Sequence, residues 1–257
     1  MPRQARRKSK SGIYHIIIRG LNRQVIFIDE KDNLRFLETL KRYKEECGYK
    51  LYAYCLMGNH LHLLIHIVEE PLEQVMRRVC GSFVYWYNKK YDRTGNLFQN
   101  RFRSEAVEDD SYFLTVLRYI HQNPYKAGIV MEHEEYIWSS YNSYRHPETN
   151  ELNLIDRDFP LKIFGNNNER ALKYFIEFHN QQGNDKCLDF KDDIRKGDLE
   201  AAEIIETVCG VNCSGYLRNL EKKKRDLILR HLKKEHNLTI RQLEKFTGIN
   251  RGIIQRA

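Results

Sequence analysis

The run Gly58-Asn59-His60-Leu61-His62-Leu63-Leu64-Ile65 constrains this chain more than any other stretch. It alternates, and a period of two predicts a strand. Residues i and i+2 of a strand share a face, about 6–7 Å apart along it. His60, His62 and His66 therefore project from one side. Leu61, Leu63, Ile65 and Ile67 project from the other, which is the obvious core side. A lone histidine on a strand is ordinarily a hydrogen-bonded surface or core residue. Imidazole is also the commonest protein ligand for metal ions. Two imidazoles so placed can hold one divalent cation and leave coordination positions open for a substrate.

A second segment strengthens the metal reading. Asp110 to Asn123 reads as a helix, with Asp109, Asp110 and Ser111 as caps. Phe113, Val116, Leu117 and Ile120 form its apolar stripe, and Pro124 is expected to stop it. Tyr119 and Asn123 stand at i and i+4, so they share a side, about 5–6 Å apart at their Cβ atoms. A phenol nucleophile and an oxygen ligand can thus face one metal held by His60 and His62. A metal-dependent phosphohydrolase with water as nucleophile competes, but it leaves Tyr119 and the Asn123-Pro124 end without a purpose.

The net charge of +8 over 257 residues is segregated. Residues 218–257 hold 12 Lys/Arg against 4 Asp/Glu, and residues 1–20 hold 6 basic residues and no acid. By subtraction from the totals of 43 and 35, the middle holds 25 against 31, a balance of −6. Basic ends suit phosphate contacts, whose counterion release makes binding salt-dependent. No run of about 18 apolar residues marks a membrane span, and the basic N-terminus lacks the apolar region of a signal peptide. Cys47, Cys55, Cys80, Cys187, Cys209 and Cys213 include no C-x-x-C pair. Neither zinc nor disulfides are expected, and free thiols fit a reducing cytoplasm.

Along the chain the expected order is βαββαβα. It comprises strands at about Ile13–Arg19, Tyr49–Met57, His60–Val68 and Arg101–Val107, and helices at about Glu30–Cys47, Leu72–Tyr91 and Asp110–Asn123. That order matches the ferredoxin-like, split-βαβ pattern, an antiparallel sheet with helices on one face and the other face left free. Phe83, Tyr85, Trp86 and Tyr87 are candidates for a base-stacking platform, although their number in one helix argues that several are core. The alternation Arg101-Phe102-Arg103 puts both guanidiniums on one face, where their planar forks suit phosphate. Residues 1–11 read as a flexible basic arm, and 146–198 as a connector with a short helix near Glu169–Gln181. From about Leu199 the chain is helical. Thr239-Ile240-Arg241-Gln242 is a capping box. A helix at Ile240–Phe246, the turn Thr247-Gly248-Ile249-Asn250 and a last short helix give a helix-turn-helix pattern, with Arg251 and Gln255 on the candidate recognition helix. A helical bundle for dimerisation is the alternative for 199–257.

Residues 12 to about 145 resemble the REP-associated tyrosine transposases, which belong to the single-tyrosine HUH transposases. The resemblance runs through Tyr14-His15, Arg19-Gly20, Asp32, Phe36-Leu37 and Gly58-Asn59-His60-Leu61-His62. It continues through Gly95 to Ser104, Arg118-Tyr119-Ile120-His121-Gln122-Asn123-Pro124 and Trp138-Ser139-Ser140-Tyr141. It implies a ferredoxin-like fold and an enzyme that cuts and rejoins single-stranded DNA at hairpin-associated sites through a 5′-phosphotyrosine. It also implies Mg2+ or Mn2+ as cofactor, Tyr119 as nucleophile, and His60, His62 and Asn123 as metal ligands. Arg19, Arg101, Arg103, Arg251 and Gln255 are the candidate DNA contacts. The segment from about Ala201 is similar to the C-terminal DNA-binding domain of the bacterial replication initiator, through Leu232, Leu238-Thr239, Leu243, Phe246, Gly248-Ile249 and Ile253. The expected partner is single-stranded DNA with a hairpin, with no membrane and no small-molecule substrate. The expected location is the cytoplasm, associated with the nucleoid, and a homodimer stays open. A domesticated DNA-binding regulator that no longer moves is the non-enzymatic alternative.

Overall fold

Alternating apolar strands and striped helices build an α+β unit at the N-terminal side. The computed structural model describes residues 7–150, 152–181, 187–189, 198–209, 213–234, 236 and 238–257. The chain divides into two compact units, Met1–Asp189 and Phe190–Ala257. Among the described residues no helix is long and apolar enough to cross a membrane.

In the first unit the order is β1 (Ile13–Arg19), α1 (Glu30–Cys47), β2 (Lys50–Met57), β3 (His60–His66), α2 (Leu72–Lys90), β4 (Arg103–Ala106) and α3 (Asp110–Lys126). The four strands form one antiparallel sheet in the order β2-β3-β1-β4, the arrangement of a split βαβ motif. In register, Ile17 and Cys55 flank His62, while Ile16 and Tyr54 flank Leu63. Opposed residues share a face, so one face carries Ile16, Ile18, Leu61, Leu63 and Ile65. The other carries His15, Ile17, Arg19, His60, His62 and Leu64. Helices α1 and α2 pack together through Phe36 and Phe83, whose rings lie 5.1 Å apart. Ile18 lines one groove with Met76 and Val84 of α2, which puts this helix pair on the leucine face.

Asp29 caps α1 in a capping box with Asp32. The Asp32 carboxylate is wholly buried and fully engaged. It accepts from Ile28 N and Tyr91 Oη and meets Lys90 Nζ at 2.7 Å. This cluster ties the start of α1 to the end of α2. Within α2, Phe83 and Tyr87 are buried core, whereas Tyr85 is 76% exposed.

Four expectations need correction. The histidine face is not free, because α3 lies across it: the rings of His62 and Tyr119 are 5.6 Å apart. Covering both faces suits central strands that are apolar on both sides. Secondly, Pro124 does not stop α3, which runs to Lys126. Lacking an N–H, Pro124 gives up one helical bond, and the last turn still closes through Ala127 N to Asn123 O.

Thirdly, residues 152–181 are no passive connector, and the first unit does not end at 145. β2 is an edge strand whose open side needs partners, and the following chain supplies them. Leu56 N donates to Trp138 O, Ser140 N to Tyr54 O, and Tyr54 N to Ser140 Oγ. Further along the edge, Tyr144 Oη donates to Tyr52 O, and Leu51 N to Asp156 Oδ2. Helices α4 (Tyr141–Arg145), α5 (Asp158–Phe164) and α6 (Asn168–Asn180) follow. They bring Tyr141, Tyr144, Leu161, Ala171 and Phe175 into the main core. Fourthly, the arm expected over 1–11 is pinned where it is described. Lys10 N and Ser11 N donate to Glu108, and Ser11 Oγ donates to Val107 O. Residues 1–6 of that arm lie outside the described residues.

The second unit holds α7 (Asp198–Cys209), α8 (Cys213–Asn219), α9 (Lys222–Lys234), α10 (Ile240–Thr247) and α11 (Arg251–Arg256). Leu217, Leu229, Leu232, Leu243, Ile249 and Ile254 make its core. The capping box at Thr239 is formed, and Gly248, with φ 64°, ends α10 in the left-handed conformation. That conformation costs a side chain and suits glycine. Asn250 then caps α11 through Gly252 N.

Candidate functional site

The site is built where β3 and β1 meet α3. The two-residue period brings His60 and His62 to one face, with ring centroids 5.2 Å apart. β1 adds His15, two pairs along the register on the same face, at 5.3 Å from the His62 ring. The helical period of α3 lays Tyr119 and Asn123 over the same spot. Tyr119 stands 5.6 Å from His62 and 5.9 Å from His15, ring to ring. Asn123 Nδ2 lies 3.4 Å from His62 Nε2.

Hydrogen bonding sets the proton positions. Asn59 Oδ1, 2.7 Å from His60 Nδ1, can only accept, so His60 carries a proton on Nδ1. An amide N–H of Asn123 can only donate, so His62 Nε2 is an acceptor. His62 Nδ1 therefore carries the proton and donates to His15 Nε2, 3.1 Å away. Burial lowers the pKa of His15 to about 3. Burial, then the neighbouring His15 and His60, lowers that of His62 well below its ordinary value. Neutral imidazoles with lone pairs on Nε2 are what a metal requires. Among the described residues no group of three or more His, Cys, Asp or Glu could hold a metal ion. Two imidazoles and an Asn123 amide, taken as a donor set, would suit Mn2+ better than Mg2+.

Tyr119 is 7% exposed, and its Oη donates to Asp189 Oδ2 at 2.6 Å. Its pKa is raised, first by burial and then by the Asp189 carboxylate, with the Asn123 hydrogen bond opposing. Asp189 is held in place by its neighbours. Arg103 donates to Asp189 O at 3.0 Å, and Leu188 N donates to Glu105 Oε2 at 3.1 Å. Lys126 Nζ lies 5.6 Å from the Tyr119 ring centroid, one turn beyond Asn123.

Of the expected site residues, Tyr119, His60, His62 and Asn123 are brought together. Arg19, 9% exposed, stands opposite His60 in register. Arg101 and Arg103 do not share a strand face. Asn100 adopts φ 62° and β4 begins only at Arg103. Arg101 instead lines a groove of about 810 Å³ together with Phe102, Met76 and Val84. Arg251 and Gln255 are exposed on α11 in the second unit.

Sequence reasoning missed the placement of His15, Asp189 and Lys126 beside the site. His15 could have been found as the one histidine in the apolar run of β1, Ile13-Tyr14-His15-Ile16-Ile17-Ile18. Asp189 carries no local signal. His121, inside the tyrosine signature, turns away from the site. Its Nε2 meets Ser140 Oγ at 2.8 Å and its Nδ1 meets His179 Nε2 at 2.9 Å, which ties α3 to the edge-capping segment and to α6.

Residues 8–123 match the sequence model of the family described as Transposase IS200 like. A curated protein of Haemophilus influenzae, named "Putative REP-associated tyrosine transposase", is 24% identical over 147 residues, covering 52% of this chain and 82% of that protein. The solved structure of a REP-associated tyrosine transposase bound to a REP hairpin is similar with a TM-score of 0.50 at 18% identity. The match covers 58% of this chain and 88% of that one, a likeness of fold.

Proposed function

We propose, from the premise that residues 8–123 belong to the IS200-like transposase family, that this enzyme cuts and rejoins single-stranded DNA beside a hairpin, with Tyr119 as its nucleophile. The observation that carries the reading is the convergence of Tyr119 and Asn123 on the His62 ring, Tyr119 ring to ring at 5.6 Å and Asn123 through Nδ2 at 3.4 Å from Nε2.

Phosphodiester cleavage needs a nucleophile, a home for its proton and relief of phosphate charge. Tyr119 Oη attacks the scissile phosphorus, forming the Oη–P bond while the P–O3′ bond breaks. The products are a 5′-phosphotyrosine and a strand ending in a 3′-hydroxyl. A phenol is a poor nucleophile near neutral pH because its pKa is about 10. The proton of Tyr119 has an acceptor already in contact, the Asp189 carboxylate. The 3′ oxygen takes a proton from solvent. Lys126 stands where its charge can pair with a phosphate beside Tyr119. His60, His62 and Asn123 would hold Mg2+ or Mn2+, which when bound polarises the scissile phosphate and neutralises developing charge. Because the covalent bond keeps the energy of the broken linkage, a 3′-hydroxyl can reverse the attack and rejoin a strand without ATP. Water as nucleophile would make the cut irreversible.

The exposed residues Arg251 and Gln255 and the basic balance of residues 218–257 support a duplex-binding role for the second unit. Labelled oligonucleotides test the whole reading. Single strands carrying a hairpin should be cut in Mg2+ or Mn2+ and spared in chelator, while a plain duplex is spared throughout. Equal cutting of the duplex contradicts the reading.

A further inference from the structure

His15 is wholly buried in a strand whose next three residues are isoleucines, and the reaction above gives it no task. An aliphatic side chain would pack in that place without any polar atom to satisfy. Instead the chain keeps an imidazole whose Nδ1 has no hydrogen-bond partner among the described residues. A buried polar atom left unmatched is costly, so the ring needs a reason to be there. Its other nitrogen supplies one. His15 Nε2 lies 3.1 Å from His62 Nδ1, and the two rings stack with 23° between their planes.

The proton order runs through three residues. Asn123 points a donor at His62 Nε2, which leaves the His62 proton on Nδ1 and makes His15 Nε2 its acceptor. His15 must then carry its own proton on Nδ1, the atom that has no partner. Turning that around, the orphaned nitrogen is the consequence of presenting Nε2 to His62. A second ring nitrogen anchored in this way fixes both the tautomer and the tilt of a metal-binding imidazole. His60 has the same device in Asn59 Oδ1. The strand thus carries two imidazoles, each held at Nδ1, and Nε2 of His62 faces Asn123 of α3. For His62, which is fully buried, the anchor has to come from inside the core.

We propose that His15 is a positioning residue that accepts the Nδ1 proton of His62 and so holds the His62 Nε2 lone pair toward the divalent cation. This rests on the metal-assisted reading of the site. Two measurements on the full chain test it. The first is two-bond nitrogen–proton NMR of the histidine rings without metal, which reports where each proton sits. The second is Mn2+ affinity by calorimetry. Wild type should show His62 protonated on Nδ1, and a proton on Nε2 instead overturns the proposal. His15→Leu, which keeps bulk but removes the acceptor, should mix the His62 tautomers and weaken Mn2+ binding by about 10–100-fold. His15→Gln, whose amide oxygen can reach the place of Nε2, should restore both readouts. Unchanged tautomer and unchanged Mn2+ affinity in His15→Leu would mean that His15 only fills space. If the leucine variant does not fold, His15→Met carries the same two expectations. A wild-type chain that binds no Mn2+ overturns the metal reading itself. Binding by wild type with equal binding by the leucine variant overturns the role of His15 alone.

Discussion

Tyr119 Oη donates a 2.6 Å hydrogen bond to Oδ2 of Asp189, seventy residues further along the chain. The contact joins the centre of α3 to a short stretch pinned by Arg103 and Glu105 of β4. It gives the phenol a proton acceptor and also raises its pKa, since a nearby carboxylate disfavours the phenolate. These effects oppose each other, and the role of Asp189 decides which one shows.

Asp189→Asn separates them. As proton acceptor, Asp189 should be worth about a hundredfold or more in single-turnover cleavage, and DNA binding should stay close to wild type. A cap that merely shields Tyr119 would give the reverse, faster cleavage in the asparagine variant.

Loss of His60 should remove metal-dependent cleavage while leaving the fold intact, because His60 is only half-buried. Charge stabilisation by a bound cation is worth several kcal/mol, so His60→Ala should cut about a hundredfold or more slowly. His62→Ala should do the same but also melt at a lower temperature, since it opens a cavity in the core. Undiminished cleavage by the double variant in chelator would contradict the assignment.

Acid should destabilise the first unit through its neutral buried histidines. Burial depresses His15 and His179 from 6.5 to about 3, and it lowers His121 as well. The unfolded chain binds protons at these sites first. Their contribution is therefore complete above pH 6.5 and is lost as pH falls from there toward about 3. At two pH units below 6.5, His15 and His179 each withdraw up to about 3 kcal/mol. Urea midpoints between pH 7.5 and 4.5 should fall steeply, and a flat profile would contradict the neutral cluster.

Much of this site is legible in the chain because it sits on regular periods. His60-Leu61-His62 declares a strand face, and Tyr119 with Asn123 declares a helix face. The bounds of β1 and α1 are legible for the same reason, with the Asp29 box and Gly48 marking the ends of α1. What stays hidden is contact made across long separations by irregular chain. Trp138-Ser139-Ser140-Tyr141 shows no period, yet it closes the open edge of β2. The strand pattern of Arg101-Phe102-Arg103 misleads because Asn100 turns the backbone into a left-handed conformation before it. Pro124 misleads differently. A proline near a helix end removes a single bond, and neighbours in the last turn carry the helix past it.

Removing residues 190–257 should leave the first unit folded, because each unit has its own core. If the second unit binds DNA, the slope of log affinity against log salt should shrink by roughly 0.9 for each duplex phosphate that the truncated protein no longer neutralises. A truncated protein with an unchanged slope and a halved mass in sedimentation would indicate a dimerising bundle instead.

The covalent bond between Tyr119 and DNA is the centre of the account, and the Tyr119→Phe variant measures it most directly. The substitution removes one hydroxyl and keeps the ring that packs on His15 and His62. A labelled single strand with a hairpin is incubated with each protein in Mn2+, denatured, and resolved for protein-linked label, with peptide mass locating the adduct. Wild type should carry the label on Tyr119, and the phenylalanine variant should bind the strand as well but carry none. A denaturant-resistant adduct on the phenylalanine variant would show that another residue is the nucleophile.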